Sequence, residues 1–80
     1  MTLKEYRIKE GLTQSELAKN CECSIQQIQK MEQDPERIWK TSVKLMYFIW
    51  HQVDPYETTK FDNFINEISR DAWIEKRKEK

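Results

Sequence analysis

An all-α fold of four short helices followed by a longer amphipathic fifth is what this 80-residue sequence predicts. Three observations predict it. One Gly and two Pro leave few chain breakers among abundant Lys, Glu, Gln and Ile, a balance that favours helices over a turn-rich β-barrel. Three Ser/Thr-x-x-Glu/Gln tetrads mark helix starts, because the hydroxyl can accept from the third helical amide while the Glu or Gln reaches back. Apolar residues near the C-terminus recur at helical spacing.

Length bounds what such a chain can do. A domain of this size buries roughly 60% of its unfolded surface, so a deep catalytic cleft or an enclosed cofactor would consume core it can hardly spare. Charged residues make up 35%, above the usual ~25%, and three Trp, three Tyr and three Phe argue against a disordered chain.

The tetrads at Thr2–Glu5, Thr13–Glu16 and Ser24–Gln27 place helices at about 3–10, 14–20 and 25–33. Gly11 closes the first, where a left-handed residue is wanted. Only about three residues separate the second helix from the third, which forces a steep crossing, the geometry of a helix-turn-helix. Asp34-Pro35 is expected to break the chain, with a fourth helix over about 38–53 ended by Asp54-Pro55. Its middle, residues 45–50, is apolar nearly all round and needs cover on more than one side. Thr59-x-x-Asp62 is read as the start of a fifth helix over about 60–75, with Phe61, Phe64, Ile65, Ile68 and Ala72 in one stripe that can supply part of that cover. Residues 76–80 read as a frayed, solvated end. The division expected is a helix-turn-helix domain over 1–53 and a helical extension over 54–80.

The run Leu3-x3-Arg7-x3-Gly11-Leu12-Thr13-Gln14-x-Glu16-Leu17-Ala18, then Ser24-x3-Ile28-x3-Glu32, resembles the Cro/CI-type (XRE-like, lambda-repressor-like) helix-turn-helix family over residues 3–32. The resemblance implies a compact helical domain that binds double-stranded operator DNA, usually as a homodimer, and regulates transcription, here as a repressor. Two positions depart from the family pattern. Glu22 stands in the turn where Gly is usual, and a left-handed non-Gly residue costs roughly 1–2 kcal/mol. Asp34 replaces the Gly common after the third helix.

At 100° per residue, Gln27, Ile28 and Met31 fall on the side of the third helix expected to meet Leu17, Ala18 and Cys21. The opposite side presents Gln26, Gln29, Lys30 and Gln33, with Ile25 at its flank and no acidic residue at its centre, which suits an approach to phosphates. A rod of roughly 15 Å fits a major groove about 12 Å wide. Gln can pair with adenine N6 and N7, Lys can donate to guanine, and Ile can touch a thymine methyl. By resemblance, Ile25, Gln26 and Lys30 occupy base-contacting positions and Gln14 opens the second helix against DNA; Gln29 and Gln33 are further outward candidates. On an isolated helix these glutamines would read only as a solvated face, and it is the motif around them that favours DNA reading.

Backbone candidates are Thr13, Ser15, Lys19 and Ser24, at or near the second helix and the turn, with Arg37 and Lys40 in a loop after the third. Arg7 and Glu32 match a family pair that joins the first helix to the end of the third. Trp73 and Ile74 lie off the stripe of the fifth helix and are candidates for a two-fold dimer that sets two reading helices ~34 Å apart.

Other chemistry is poorly served. Cys21, Cys23 and His51 do not supply the four ligands of a usual zinc site, so no metal and no cofactor is expected. Cys21 reads as a small core residue, and a redox role for Cys23 would need a lowered thiol pKa. No nucleophile arrangement or phosphate loop marks an enzyme or a small-molecule substrate. No apolar run approaches ~18 residues, and the expected location is cytoplasmic, without a membrane partner. Fourteen basic against fourteen acidic side chains give no net charge, so any positive surface must come from arrangement. Zero charge and an exposed aromatic helix also keep an alternative open: a protein-interaction module, or an antitoxin-like partner, with weak or no DNA binding.

Overall fold

The computed structural model describes residues 1–78, and helices are their only regular elements. These are α1 (Leu3–Lys9), α2 (Gln14–Asn20), α3 (Ile25–Gln33), α4 (Pro35–Lys40), α5 (Val43–Val53) and α6 (Phe61–Lys78). All three capping boxes close. Thr2 Oγ1 accepts from the Glu5 amide at 3.2 Å while Glu5 Oε1 accepts from the Thr2 amide at 2.9 Å, and Thr13–Glu16 and Ser24–Gln27 repeat the exchange.

The first two helices end alike. After α1 the Leu12 amide donates to the Arg7 carbonyl and the Gly11 amide to Ile8, and after α2 the Cys23 amide donates to Ala18 and the Glu22 amide to Lys19. Each pair of bonds satisfies carbonyls left open at a helix end and requires a left-handed residue at its centre. Gly11 takes that conformation at φ +71, and Glu22 takes it at φ +56. The turn between α2 and α3 therefore keeps its shape without glycine, at the conformational cost of a side chain at Glu22.

Several sequence expectations are corrected. The helix expected over 38–53 is two helices: Thr41 adopts an extended conformation and the Ser42 hydroxyl accepts from the Leu45 amide to start α5. Pro35 begins α4 rather than standing in a break, a position where its missing N–H costs nothing. Asp34 sits at φ −121, caps α4 by accepting from the Glu36 amide, and has no need of a left-handed residue there. Arg37 and Lys40 thus lie on a helix, not in a loop. Gln27 faces solvent as a capping residue and does not join Ile28 and Met31 in the core. Thr59 does not open the last helix, because its groups are used in the preceding turn. That helix runs on to Lys78 instead of fraying after 75, while Glu79 and Lys80 lie outside the described residues.

One core joins all six helices. Leu3 and Tyr6 of α1, Leu17 and Ala18 of α2, Ile28 and Met31 of α3, Ile38 of α4, Met46, Ile49 and Val53 of α5, and Phe64 and Ile68 of α6 are buried together. Phe64 and Ile68 are fully enclosed, worth roughly 1.5–3 kcal/mol each. The stripe on α6 packs against both α4 and α5, where Trp39 Nε1 donates to the buried Ser69 hydroxyl at 2.5 Å. Cover for α5 is incomplete: Tyr47 meets the Phe61 ring, yet Val43, Tyr47 and Phe48 remain exposed.

Asp54 organises the connection from α5 to α6. Its carboxylate, 4% exposed, accepts from the Thr58 amide and hydroxyl and from the Thr59 amide. Trp50 Nε1 donates to the Thr59 carbonyl, and the Thr59 hydroxyl meets the Tyr6 hydroxyl, which itself donates to Glu67. Burial works against ionisation of Asp54, but the bonds from Thr58 and Thr59 outweigh it and hold the carboxyl below its ordinary range.

Two outcomes follow for stability. Glu22→Gly removes the left-handed strain and is expected to stabilise the fold by about 1 kcal/mol, a rise in Tm of roughly 4–8 °C; Gly11→Ala should lose a similar amount, although the added methyl meets open space. Thermal melts check both, and an unstabilised Glu22→Gly would remove strain from the account of this turn. The second concerns Asp54. A carboxyl depressed on folding lends stability above its unfolded pKa and loses it as pH falls through the folded value. Asp54→Asn should cost roughly 1–3 kcal/mol at neutral pH, and its gap from the parent chain in denaturant titrations should narrow below about pH 4. A gap constant with pH would contradict this.

Candidate nucleic-acid interface

The orientation of α3 is set by a buried charge pair. Arg7 Nε donates to Glu32 Oε2 at 2.7 Å and Nη2 to Oε1 at 3.2 Å, while Nη1 donates to the Leu12 carbonyl at 2.8 Å. The two side chains are 9% and 4% exposed. This fork-to-carboxylate geometry ties α1 to the last turn of α3 with angular definition that a single point contact lacks. Gln14 completes it: its Nε2 donates to Glu32 Oε1 at 3.0 Å, and Gln29 Nε2 approaches Gln14 Oε1 at 3.5 Å. The sequence reading assigned Gln14 to DNA alone and missed its bond to Glu32. No local signal gave this bond: the two residues are 18 apart in sequence, at the ends of α2 and α3 farthest from their turn, and only the packing of the two helices brings the long Gln14 side chain to Glu32.

The outward side of α3 exposes Gln26, Lys30 and Gln33, while Gln29 is half-buried against Gln14. Ile25 is half-buried as well and packs partly on the core, so only part of its side chain is offered outward. Along α2 and the turn, Thr13, Ser15, Lys19 and Ser24 are all exposed. The Thr13 and Ser24 hydroxyls accept capping bonds, and a hydroxyl that accepts can still donate its own proton. Because Glu32 is matched by Arg7, the last turn of α3 presents no free carboxylate within the helix itself. The face is polar, with Lys30 as its central cation.

Arg37 and Lys40 come beside the Gln27 and Met31 side of α3. With Gln27 they line a groove of about 290 Å³ between α3 and the α4–α5 corner. A second, larger groove of about 730 Å³ lies at the last turn of α3, where Gln14 and Gln33 share its lining with α1 and with the last turns of α6. Trp73 and Ile74, by contrast, sit on the outer end of α6 and are 37% and 43% exposed.

Burial pushes the Cys21 thiol up to about 11 and raises that of Cys23 as well, the reverse of what a reactive thiolate needs. Among the described residues no three His, Cys, Asp or Glu side chains are grouped to hold a metal ion, and no helix is long and apolar enough to cross a membrane.

The model of the helix-turn-helix family matches residues 3–38, which takes in α1, α2, α3 and the start of α4. The segment read as Cro/CI-like from its residues, 3–32, lies inside this match, which reaches slightly further along the chain. No curated protein and no solved structure matches the chain.

The charge pair has a direct test. Glu32→Gln leaves Arg7 buried without its counter-charge and should destabilise the fold by roughly 3–5 kcal/mol. Replacing both partners, Arg7→Met with Glu32→Met, should cost clearly less than the two single changes added together, because neither leaves the other stranded. Additive losses in denaturant titrations would mean the pair is not coupled.

Proposed function

We propose, for a chain whose residues 3–38 match the helix-turn-helix family, that it is a sequence-specific DNA-binding regulator of the Cro/CI type, acting as a repressor, that lays α3 in the major groove. The observation that carries this is the outward face of α3: Gln26, Lys30 and Gln33 exposed in a row, on a helix whose angle is fixed from behind by the Arg7–Glu32–Gln14 bonds. Gln26 and Lys30 read base edges, with the exposed part of Ile25 against a thymine methyl and Gln14 at the start of α2; Gln29 and Gln33 support the same surface. Thr13, Ser15, Lys19, Ser24, Arg37 and Lys40 hold the sugar-phosphate backbone and set register without reading sequence.

Regulators of this kind gain affinity by binding as two-fold pairs. We assign this chain a homodimer on a palindromic operator. Two apolar surfaces can support it: Trp73 and Ile74 at the end of α6, and Val43, Tyr47 and Phe48 on α5. The latter also favours a second reading, in which the fold serves as a protein-interaction module or antitoxin-like partner with weak DNA binding. Salt separates the two readings. Binding through several phosphates weakens steeply as salt rises, and apolar docking does not.

Selection of duplexes from a random pool by the purified protein tests the reading. An enriched palindrome is expected, with Gln26→Ala and Lys30→Ala each relaxing particular base positions at a cost of about 1–3 kcal/mol. A single half-site would remove the dimer, and no enrichment at low salt would favour the interaction module.

A further inference from the structure

The chain continues past the matched segment, and the last turns of α6 end beside the face just described. Two walls of the 730 Å³ groove come from α1 and α6, through Lys4 and Lys76, while Gln14 and Gln33 line it from the reading side. The end of α6 is held in place, since Phe64 and Ile68 are fully buried, Ser69 is bonded by Trp39, and Ala72 packs on the core. Lys76 itself lies with Nζ 5.1 Å from the centre of the Trp73 ring, a contact that steadies the side chain and leaves the charge exposed. From Glu75 to Lys78 the helix carries three cations and one carboxylate.

Three carboxylates also line this groove, and their state decides its sign. Glu32 is matched by Arg7, whereas Glu5, bonded to the Thr2 amide in a capping box, is held ionised. Glu5 and Glu75 oppose an anion, Glu75 being next in sequence to Lys76, Arg77 and Lys78.

We propose that Lys76 is a DNA-backbone contact, so that α6 extends the interface with a phosphate-binding edge beside Gln14 and Gln33. Lys76 and Lys4 stand at the last turn of α3, where Gln33 and Gln14 share their groove. A chain with no net charge would meet a polyanion here through a local excess, Lys76, Arg77 and Lys78 against Glu75. The inference rests on the DNA-binding reading above.

The test is the salt dependence of binding to a 20-base-pair duplex carrying the selected sequence. Each phosphate contact contributes about 0.9 to the slope of log affinity against log salt, so losing one reduces that slope by about 0.9. Between 50 and 200 mM salt the advantage of the parent chain over Lys76→Gln should therefore shrink roughly 3.5-fold. Lys60→Gln, the same charge change roughly 24 Å back along the α6 axis, is expected to leave the slope unchanged. Lys76→Arg should retain the parent slope. A slope unaltered by Lys76→Gln, or lowered equally by Lys60→Gln, would overturn the proposal while leaving α3 as the reader; in that case Lys76 only complements the carbonyl end of α6. Failure of the parent chain to bind any duplex would bring down the DNA reading and this edge with it.

Discussion

A buried guanidinium cannot stand alone in a small core, and much of this molecule is arranged around satisfying Arg7. Its five-donor fork meets Glu32 through two nitrogens and the Leu12 carbonyl through a third. Through these bonds α1 specifies where α3 ends, and the loop that follows α1 is drawn to the same point. Glu32 then accepts from Gln14 as well, so the first residue of α2 is tied to the last turn of α3. Replacing such a pair with apolar groups need not weaken a protein. What the charged version supplies is direction, because a bidentate contact tolerates little rotation between the helices that carry it. The proposed base-reading face would depend on that direction more than on total stability.

Around this pair the local grammar was largely legible. Capping boxes at Thr2, Thr13 and Ser24 place three helix starts because each depends on residues four positions apart or fewer, and the bounds of α2 and α3 follow from them. Glu22 was legible only in part: the family pattern wants a left-handed residue there, but a strained turn and a turn of another shape read equally well, and its φ of +56 gives the first. Legibility ended where a residue had several possible partners. Asp34-Pro35 reads equally well as a break or as a helix start, and the choice fell to the Glu36 amide, which the Asp34 side chain caps. Ser42 marks a start with no Glu or Gln three residues on, so a continuous helix across 38–53 looked equally sound. Thr59 was drawn away from its expected cap by Asp54, Trp50 and Tyr6, contacts spanning up to 53 residues. The outward face of α3 was visible from periodicity, but the bond from Gln14 to Glu32 needed the crossing of two helices.

The extension after α5 is integrated with the helix-turn-helix rather than appended to it. Phe64 and Ile68 fill the same core as Leu17 and Ile28, and Trp39 crosses from α4 to Ser69. One consequence is mechanical. The end of α6 is placed relative to α3 by packed side chains, so its cations are presented at a defined position. Another is that α5, with one side buried on the core, keeps Val43, Tyr47 and Phe48 in water. The polar α3 face and the apolar α5 face are distinct surfaces that share no side chains, so the proposed DNA contact and the proposed protein contact draw on different residues.

The central claim is that the face of α3 braced by Arg7 and Glu32 is where DNA binds. Mapping backbone amide shifts by NMR while a selected duplex is titrated into the protein tests it most directly. The account predicts that the largest changes fall on Gln14, Gln26, Lys30 and Gln33, with the exposed face of α5 little affected at equal occupancy. Changes centred on Val43, Tyr47 and Phe48, with α3 silent, would contradict it.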